Sequence, residues 1–209
     1  MKSLDVNAKI TYLIVYYSAF QTVQLKSFWQ EQDTVIVFFR RWGCMLCRLW
    51  AKELSEINPV LQRHDIKLVG IGVEEDGSKE FIAGKYFNGD LYHVTEQSTY
   101  QTLGFKKFST IGILASLFWK QSRDALMKGK EMGLQTDLIG DGLQNGGALL
   151  VKRGGKMLQH FVQYGPADRI SNHDVLKAFG LENEYRPESM SNKKRENVCN
   201  VSMLLYFSK

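Results

Sequence analysis

The sequence predicts an α/β fold, a sheet covered by helices, and three observations carry that prediction. Two apolar runs, Thr34 to Phe39 and Ile66 to Val73, have the length and composition of strands buried on both faces. Between them Cys47, Trp50, Leu54, Ile57 and Leu61 recur at helical spacing, with Lys52, Glu53, Glu56 and Gln62 on the other side. Late in the chain Gly146-Gly147 opens a strand through Val151, Arg153-Gly154-Gly155-Lys156 is a hairpin turn, and Met157 to Gln163 returns.

Taken in order, Ile10 to Tyr17 is β-branched and aromatic and reads as a strand. Thr22 to Leu25 is a second short one, followed by a turn of helix at Ser27-Phe28-Trp29. After the buried strand ending at Phe39 comes a long helix, in which Pro59 should produce a kink near Asn58 or a restart. The strand Ile66 to Val73 leads through Glu74-Glu75-Asp76-Gly77 to a helix over Ser78 to Tyr86, with Phe81, Ile82 and Tyr86 inward. Leu91 to Val94 is a strand, and Glu96 to Leu103 a short helix ending at Gly104. This alternation of strands and helices predicts right-handed crossovers.

Ile111 to Met132 departs from the alternation as a helical insertion before the last hairpin. It reads either as one or two core-packing helices or as an apolar wall or lid beside a site. Gly133 to Gly142 is a polar connection, and Ser171-Asn172 caps a closing helix through Phe179. The expected organisation is an N-terminal extension (1–21, with a strand), one α/β domain (22–181) and a polar, disordered tail (182–209).

Composition excludes several classes. With 209 residues, 44% hydrophobic and 23% charged, the chain can bury a full core. The net charge of +5 is scattered in pairs such as Arg40-Arg41 and Lys106-Lys107, unlike the gathered basic face of a nucleic-acid binder. No run reaches transmembrane length, so no integral membrane segment is expected and the cytosol is the expected compartment. Three cysteines make no disulfide scaffold, and one Cys-x-x-Cys without a second ligand pair leaves a zinc tetrahedron half empty, so no metal is expected.

The chemistry concentrates in Arg40-Arg41-Trp42-Gly43-Cys44-Met45-Leu46-Cys47-Arg48. Two cysteines three apart at a strand-to-helix junction share a face of the first helical turn, where the helix dipole favours a thiolate. Arg40, Arg41 and Arg48 add positive charge, and Trp42 would flank the pair or simply pack beside it. Arg41 and Arg48 could steady a thiolate or a substrate carboxylate. One thiolate can attack an O–O or S–S bond and the other resolve the adduct to a disulfide. Cys44, nearer the helix start, is favoured as the attacking thiol, but the order within the pair stays open. Cys199 lies in the tail and carries no assigned role.

Trp42-Gly43-Cys44-Met45-Leu46-Cys47 after a buried strand resembles the thioredoxin-like fold. Leu68-Val69-Gly70-Ile71-Gly72, Tyr86-Phe87-Asn88-Gly89-Asp90, Leu103-Gly104-Phe105-Lys106-Lys107, Gly140-Asp141-Gly142-Leu143-Gln144-Asn145-Gly146-Gly147 and His160-Phe161-Val162-Gln163 extend the likeness over Thr22 to Leu181. Together they resemble the peroxiredoxin-like prostamide/prostaglandin F synthases. The resemblance implies reduction of the endoperoxide of prostaglandin H2, or of its ethanolamide prostamide H2, to the F-type diol with NADPH, in prostaglandin biosynthesis. It places the redox roles on Cys44 and Cys47, with thioredoxin or its reductase as a possible partner. A general thiol peroxidase or disulfide reductase of the same fold is the alternative, and a non-catalytic redox-sensing module a third.

Departures from the pattern bear on the electron route. Gly146-Gly147 stand where thioredoxins place a cis-proline, which weakens a thioredoxin-type role on protein disulfides. The peroxiredoxin threonine three residues before the attacking cysteine is absent; if Cys47 attacked, Cys44 would hold its place. No Gly-x-Gly-x-x-Gly follows a strand, so NADPH either binds atypically or acts through a separate reductase.

Overall fold

The computed structural model describes residues 9–12, 22–96, 98–116, 118–137 and 140–185. Its strands are β1 (Lys9–Tyr12), β2 (Thr22–Gln24), β3 (Asp33–Phe38), β4 (Ile66–Gly72), β5 (Asp90–Val94), β6 (Gly147–Val151) and β7 (Met157–Val162). The helices are α1 (Met45–Arg63), α2 (Ser78–Ala83), α3 (Ser98–Thr102), α4 (Thr110–Ser116), α5 (Lys120–Glu131) and α6 (Asn172–Ala178), with a 3₁₀ turn at Leu25–Trp29. The strands form a single mixed sheet in the order β2–β1–β5–β4–β3–β6–β7.

β3 is an interior strand of that sheet, parallel to β4 and antiparallel to β6, with Val35 opposite Leu68 and Leu150. Its sequence explains the position. Side chains alternate across a strand, so Val35 and Val37 enter one core layer while Ile36 and Phe38 enter the other. The first layer holds Trp42, Trp50, Leu54, Ile57 and Leu61 beneath α1; the second holds Val69, Ile71, Tyr100, Leu103 and Phe105. A strand apolar on both faces has nowhere else to go in a two-layered α/β molecule.

Pro59 lies inside α1, which runs as one helix to Arg63 without the expected restart. A proline cannot donate to the carbonyl four residues back, and the ladder loses one bond there. The preceding turn is held from outside instead: the Ser55 hydroxyl donates to Ala51 O and accepts from Asn88 N, and the Asn58 amide donates to Asn88 O. α2 ends at Gly84, earlier than expected, and Tyr86 reaches Phe81 from beyond the helix with ring centroids 5.5 Å apart.

Both ends of the domain differ from the sequence expectation. β1 is no appendage, since it pairs antiparallel with both β2 and β5 within the main sheet. The rest of the predicted first strand, 13–17, lies outside the described residues. At the other end Glu184 pairs with His64 at 2.6 Å, and the Tyr185 hydroxyl donates to Glu56, so 182–185 are held against α1. The remaining tail, 186–209 with Cys199, lies outside the described residues.

Tyr100 ties α3 to the sheet. Its buried hydroxyl is shared between Phe39 O at 2.8 Å and Ile71 O at 2.9 Å, the two carbonyls where β3 and β4 end. Tyr100→Phe should lower the unfolding free energy by about 1–2 kcal/mol, through carbonyls left without that donor. Urea unfolding of the two proteins measures it, and an unchanged midpoint would contradict the assignment.

Candidate active site

The C-terminal end of β3 delivers the chain to the site. Arg40 to Gly43 form the turn, Cys44 is the N-cap of α1 with extended backbone (φ −77°, ψ 121°), and Cys47 lies in the first turn. Both cysteines are free thiols. Cys44 is 7% exposed and Cys47 2%, so the first is the more accessible of two nearly buried sulfurs.

An N-cap side chain normally accepts from N–H groups of the first turn, and a sulfur in that place meets the positive end of the helix. The Cys44 thiol is held well below the ordinary thiol range, first by the hydrogen bond from the Cys47 side chain. The Arg40 charge, the Cys47 N–H and the Arg41 charge act the same way, together outweighing burial. Cys47 is pushed well above the ordinary range because its proton is held in that bond to Cys44, with burial adding to the effect. The pair is thereby polarised into one thiolate and one thiol. Two like charges at this distance in a buried site disfavour ionising both.

Arg40 is the residue that sequence reading undervalued. It was expected only as one of three nearby charges, yet its buried guanidinium reaches the Cys44 sulfur, Nη1 to Sγ at 3.8 Å. The guanidinium is fixed by carbonyls: Nε donates to Gln144 O at 3.0 Å, Nη2 to Gly142 O at 2.9 Å and Nη1 to Pro166 O at 3.5 Å. Its charged carbon lies 5.5 Å over the Phe108 ring. No carboxylate forms an ion pair with it among the described residues. A buried cation without an acidic partner favours an anion beside it, and the adjacent group able to become one is the Cys44 thiol.

The other predicted supports separate. Arg41 is half-buried; its charge favours the Cys44 thiolate, and its backbone N–H bonds the Cys47 sulfur. Trp42 does not line an opening: it is buried, its indole N–H donates to Glu74 O at 2.6 Å, and its ring packs on Phe81 with centroids 4.8 Å apart. Arg48 faces away from the thiols. It donates to Trp42 O at 3.0 Å and Gln135 O at 2.7 Å, pairs with Asp137 at 2.9 Å, and stacks over Tyr86.

Arg48 thus straps 134–137 across the cysteine loop. Asp137 N donates to Gly43 O at 2.9 Å and the Thr136 hydroxyl to the same carbonyl at 3.2 Å. A Cβ at Gly43 would fall 1.7 Å from Asp137 Oδ1, so a larger residue before Cys44 would displace the carboxylate that pairs with Arg48. Gly146 and Gly147 are under the same constraint at the edge of the site, where a Cβ would lie 2.2 Å from Phe38 O and Phe161 O respectively.

The Ile111–Met132 insertion divides. On α5, Ser122, Ala125 and Gly129 face inward, and Gly129 closes on Met45 of α1, as expected of a core-packing helix. Ile111, Phe118 and Trp119 stay exposed, and the Trp119 ring lies over Gly165, next to the Pro166 whose carbonyl holds Arg40. Among the described residues no cluster of His, Cys, Asp and Glu could hold a metal, and no helix is long and apolar enough to cross a membrane. The Gly154-Gly155 turn sits beyond β6 at the far end of the sheet from Cys44, with Gly154 N bonded to Trp29 O. It is a tight hairpin and does not fit the phosphates of a dinucleotide.

A parallel-sheet core, a late hairpin and a polarised cysteine pair at a helix start define a thioredoxin-like, peroxiredoxin-type oxidoreductase. The family described as AhpC/TSA antioxidant enzyme matches residues 53–164, a span that begins after the cysteines. Solved structures share the fold at low identity. Peroxidoxin BcpB from Mycobacterium tuberculosis aligns with TM-score 0.54 and 12% identity over 90% of this chain and 99% of its own. The bacterioferritin comigratory protein of Xanthomonas campestris aligns at 0.56 and 11% over 87% and 92%.

Curated relatives narrow the class. The prostamide/prostaglandin F synthase of Xenopus tropicalis is 38% identical over 95% of this chain and 99% of its own length. Those of Sus scrofa and Homo sapiens are 44% and 41% identical, each over 78% of this chain and 82% and 83% of theirs. The chain belongs to the prostamide/prostaglandin F synthase family.

Arg40→Gln should move the alkylation profile of Cys44 by iodoacetamide to higher pH, with the rate at neutral pH falling about tenfold. Arg48→Met should leave that profile in place and instead lower stability by about 2–4 kcal/mol, because Asp137 and two carbonyls lose their partner. Mass-spectrometric alkylation rates and urea unfolding on both variants separate the two arginines; a shared profile shift would refute the division.

Proposed function

We propose that the protein reduces the endoperoxide bridge of prostaglandin H2 and prostamide H2 to the corresponding F-type diols, with Cys44 as nucleophile and Cys47 as resolving thiol. The observation that supports this most directly is the polarised pair, a depressed Cys44 thiol beside Arg40 and a raised Cys47 thiol that holds the proton. Family membership supports the substrate class, since the relatives carry that name.

The Cys44 thiolate attacks one oxygen of the O–O bond. An S–O bond forms, the O–O bond breaks, and the second oxygen leaves as an alkoxide that takes up a proton. Arg40 lies where it steadies the thiolate before attack and charge on the oxygen as the bond breaks. Cys47 then attacks the Cys44 sulfur, the S–O bond breaks, and the Cys44–Cys47 disulfide forms as the second hydroxyl is released. Two electrons leave the dithiol and the endoperoxide becomes a diol.

Restoring the dithiol takes an outside reductant. NADPH supplies it through a separate dithiol reductase of the thioredoxin system, in the reducing cytosol, rather than by binding this chain. The mismatch between the hairpin glycines and a dinucleotide supports that route. A general thiol peroxidase is the second possibility, favoured by the AhpC/TSA match.

Purified protein with prostaglandin H2 and NADPH should give the F-type product only when thioredoxin and its reductase are added. Cys44→Ser should abolish turnover, and Cys47→Ser should allow at most one equivalent of product per enzyme. Turnover with NADPH alone would overturn the relay. Hydrogen peroxide consumed much faster than the endoperoxide would favour the second possibility.

A further inference from the structure

Beside the cysteine site, α4, α5 and the turn after β7 present large apolar side chains to water. Ile111 and Phe118 are each 79% exposed and Tyr164 is 87% exposed. Singly such residues are ordinary, but these gather. Phe118 precedes Trp119, and the Trp119 ring lies over Gly165, the neighbour of Tyr164, which brings the two exposed segments that carry these aromatics together.

Cations accompany them. Ser122, Ala125 and Gly129 turn inward on α5, which leaves Arg123, Met127 and Lys130 on the solvent side at helical spacing. Neither Arg123 nor Lys130 forms an ion pair among the described residues. Around the flank, Lys120, Lys128 and Arg169 edge an open cavity of about 390 Å³ together with Asp124 and Ala125. These three are already paired, Lys120 with Asp124 and the other two with Glu53, so Arg123 and Lys130 carry the uncompensated charge. Residues 106–132 carry six basic and two acidic side chains, most of the net +5 of the whole chain.

We propose that this face docks the protein on an anionic lipid bilayer. Phe118, Trp119 and Tyr164 would sit at headgroup depth, where aromatic rings partition, and Arg123 and Lys130 would meet anionic headgroups. A second copy of the chain is a poorer occupant, since a two-fold interface here would set the same cations against each other. A bilayer satisfies both the exposed aromatics and the charge of Arg123 and Lys130. Docking on this side brings the Cys44 opening to the membrane surface, because Gly165 and Pro166 link the Trp119 rim to Arg40. That last consequence rests on the lipid-endoperoxide function; the docking surface does not.

Sedimentation of the full chain with vesicles tests it, using phosphatidylcholine with or without phosphatidylserine. The protein should pellet with the phosphatidylserine vesicles, less so as salt rises. Arg123→Gln and Lys130→Gln should each weaken binding about fivefold. Phe118→Ser with Tyr164→Ser should weaken it about tenfold or more, with an unchanged melting curve showing that the fold persists. The proposal fails if the wild type stays in the supernatant with both vesicles, or if these variants pellet like it. It also fails if sedimentation velocity shows a dimer that Phe118→Ser with Tyr164→Ser dissociates. No peroxide is present in the assay, so its outcome is separate from that of the endoperoxide assay.

Discussion

The structure of the site depends on one buried cation. Arg40 is taken out of water and compensated by three backbone carbonyls from two distant segments, Gly142 and Gln144 before β6 and Pro166 after β7. Carbonyl dipoles satisfy its N–H groups but not its full charge, and the sulfur at 3.8 Å completes the set. The interaction works in both directions. The Cys47 hydrogen bond and then the arginine hold the Cys44 thiol below its ordinary range, and negative charge on that sulfur offsets the cost of burying the arginine. Oxidation to the disulfide removes the negative charge and leaves the cation without its partner. The reduced pair is therefore the electrostatically favoured one, the situation in which a disulfide is readily reduced by an incoming dithiol.

The fold serves that contact by bringing remote backbone to the end of β3. Two-sided burial holds β3 inside the sheet, so the residues after Phe38 emerge at a fixed point, with β4 on one side and β6 on the other. Gly146 and Gly147 allow β6 to close on Phe38 and on Phe161 without side chains between, which keeps the Gly142–Gln144 carbonyls within reach of Arg40. From the opposite side Arg48 and Gly43 bind the 134–137 strap. Two arginines of one nine-residue stretch thus do different work. Arg40 turns toward the sulfur, and Arg48, on the far side of the helix start, anchors a loop.

Much of this was legible in the sequence where the signal is local. Period-two and period-3.6 patterns placed the strands and α1, the Arg153–Lys156 turn placed the hairpin, and Cys-x-x-Cys after a buried strand placed the chemistry. What was not legible depends on contacts between segments a hundred residues apart. Arg40, Arg41 and Arg48 look alike in sequence; the oxygens that hold Arg40 are main-chain carbonyls, which no residue type encodes, and Arg48 is set apart by Asp137, 89 residues away. Pro59 brings no restart of α1, and the turn before it is tied by Ser55 and Asn58 to Asn88, again across the fold. Trp42 stood beside the cysteine pair in sequence, but its ring is drawn into the core by Glu74 O and Phe81. Gly43 carried a signal that could have been used: a glycine next to a nucleophile often marks close backbone approach.

The near-complete burial of both sulfurs bears on what can reach them. A protein disulfide has to present its own backbone across an open groove, whereas here the 134–137 strap and the closely packed Gly146-Gly147 edge crowd the approach. A strained O–O bridge is two atoms wide and needs only the sulfur and a positive charge beside it. The same crowding sets a condition on regeneration, since a dithiol reductase is itself a protein. Once the disulfide forms, the Cys47-to-Cys44 hydrogen bond and the thiolate–Arg40 attraction that tighten the helix start are both gone.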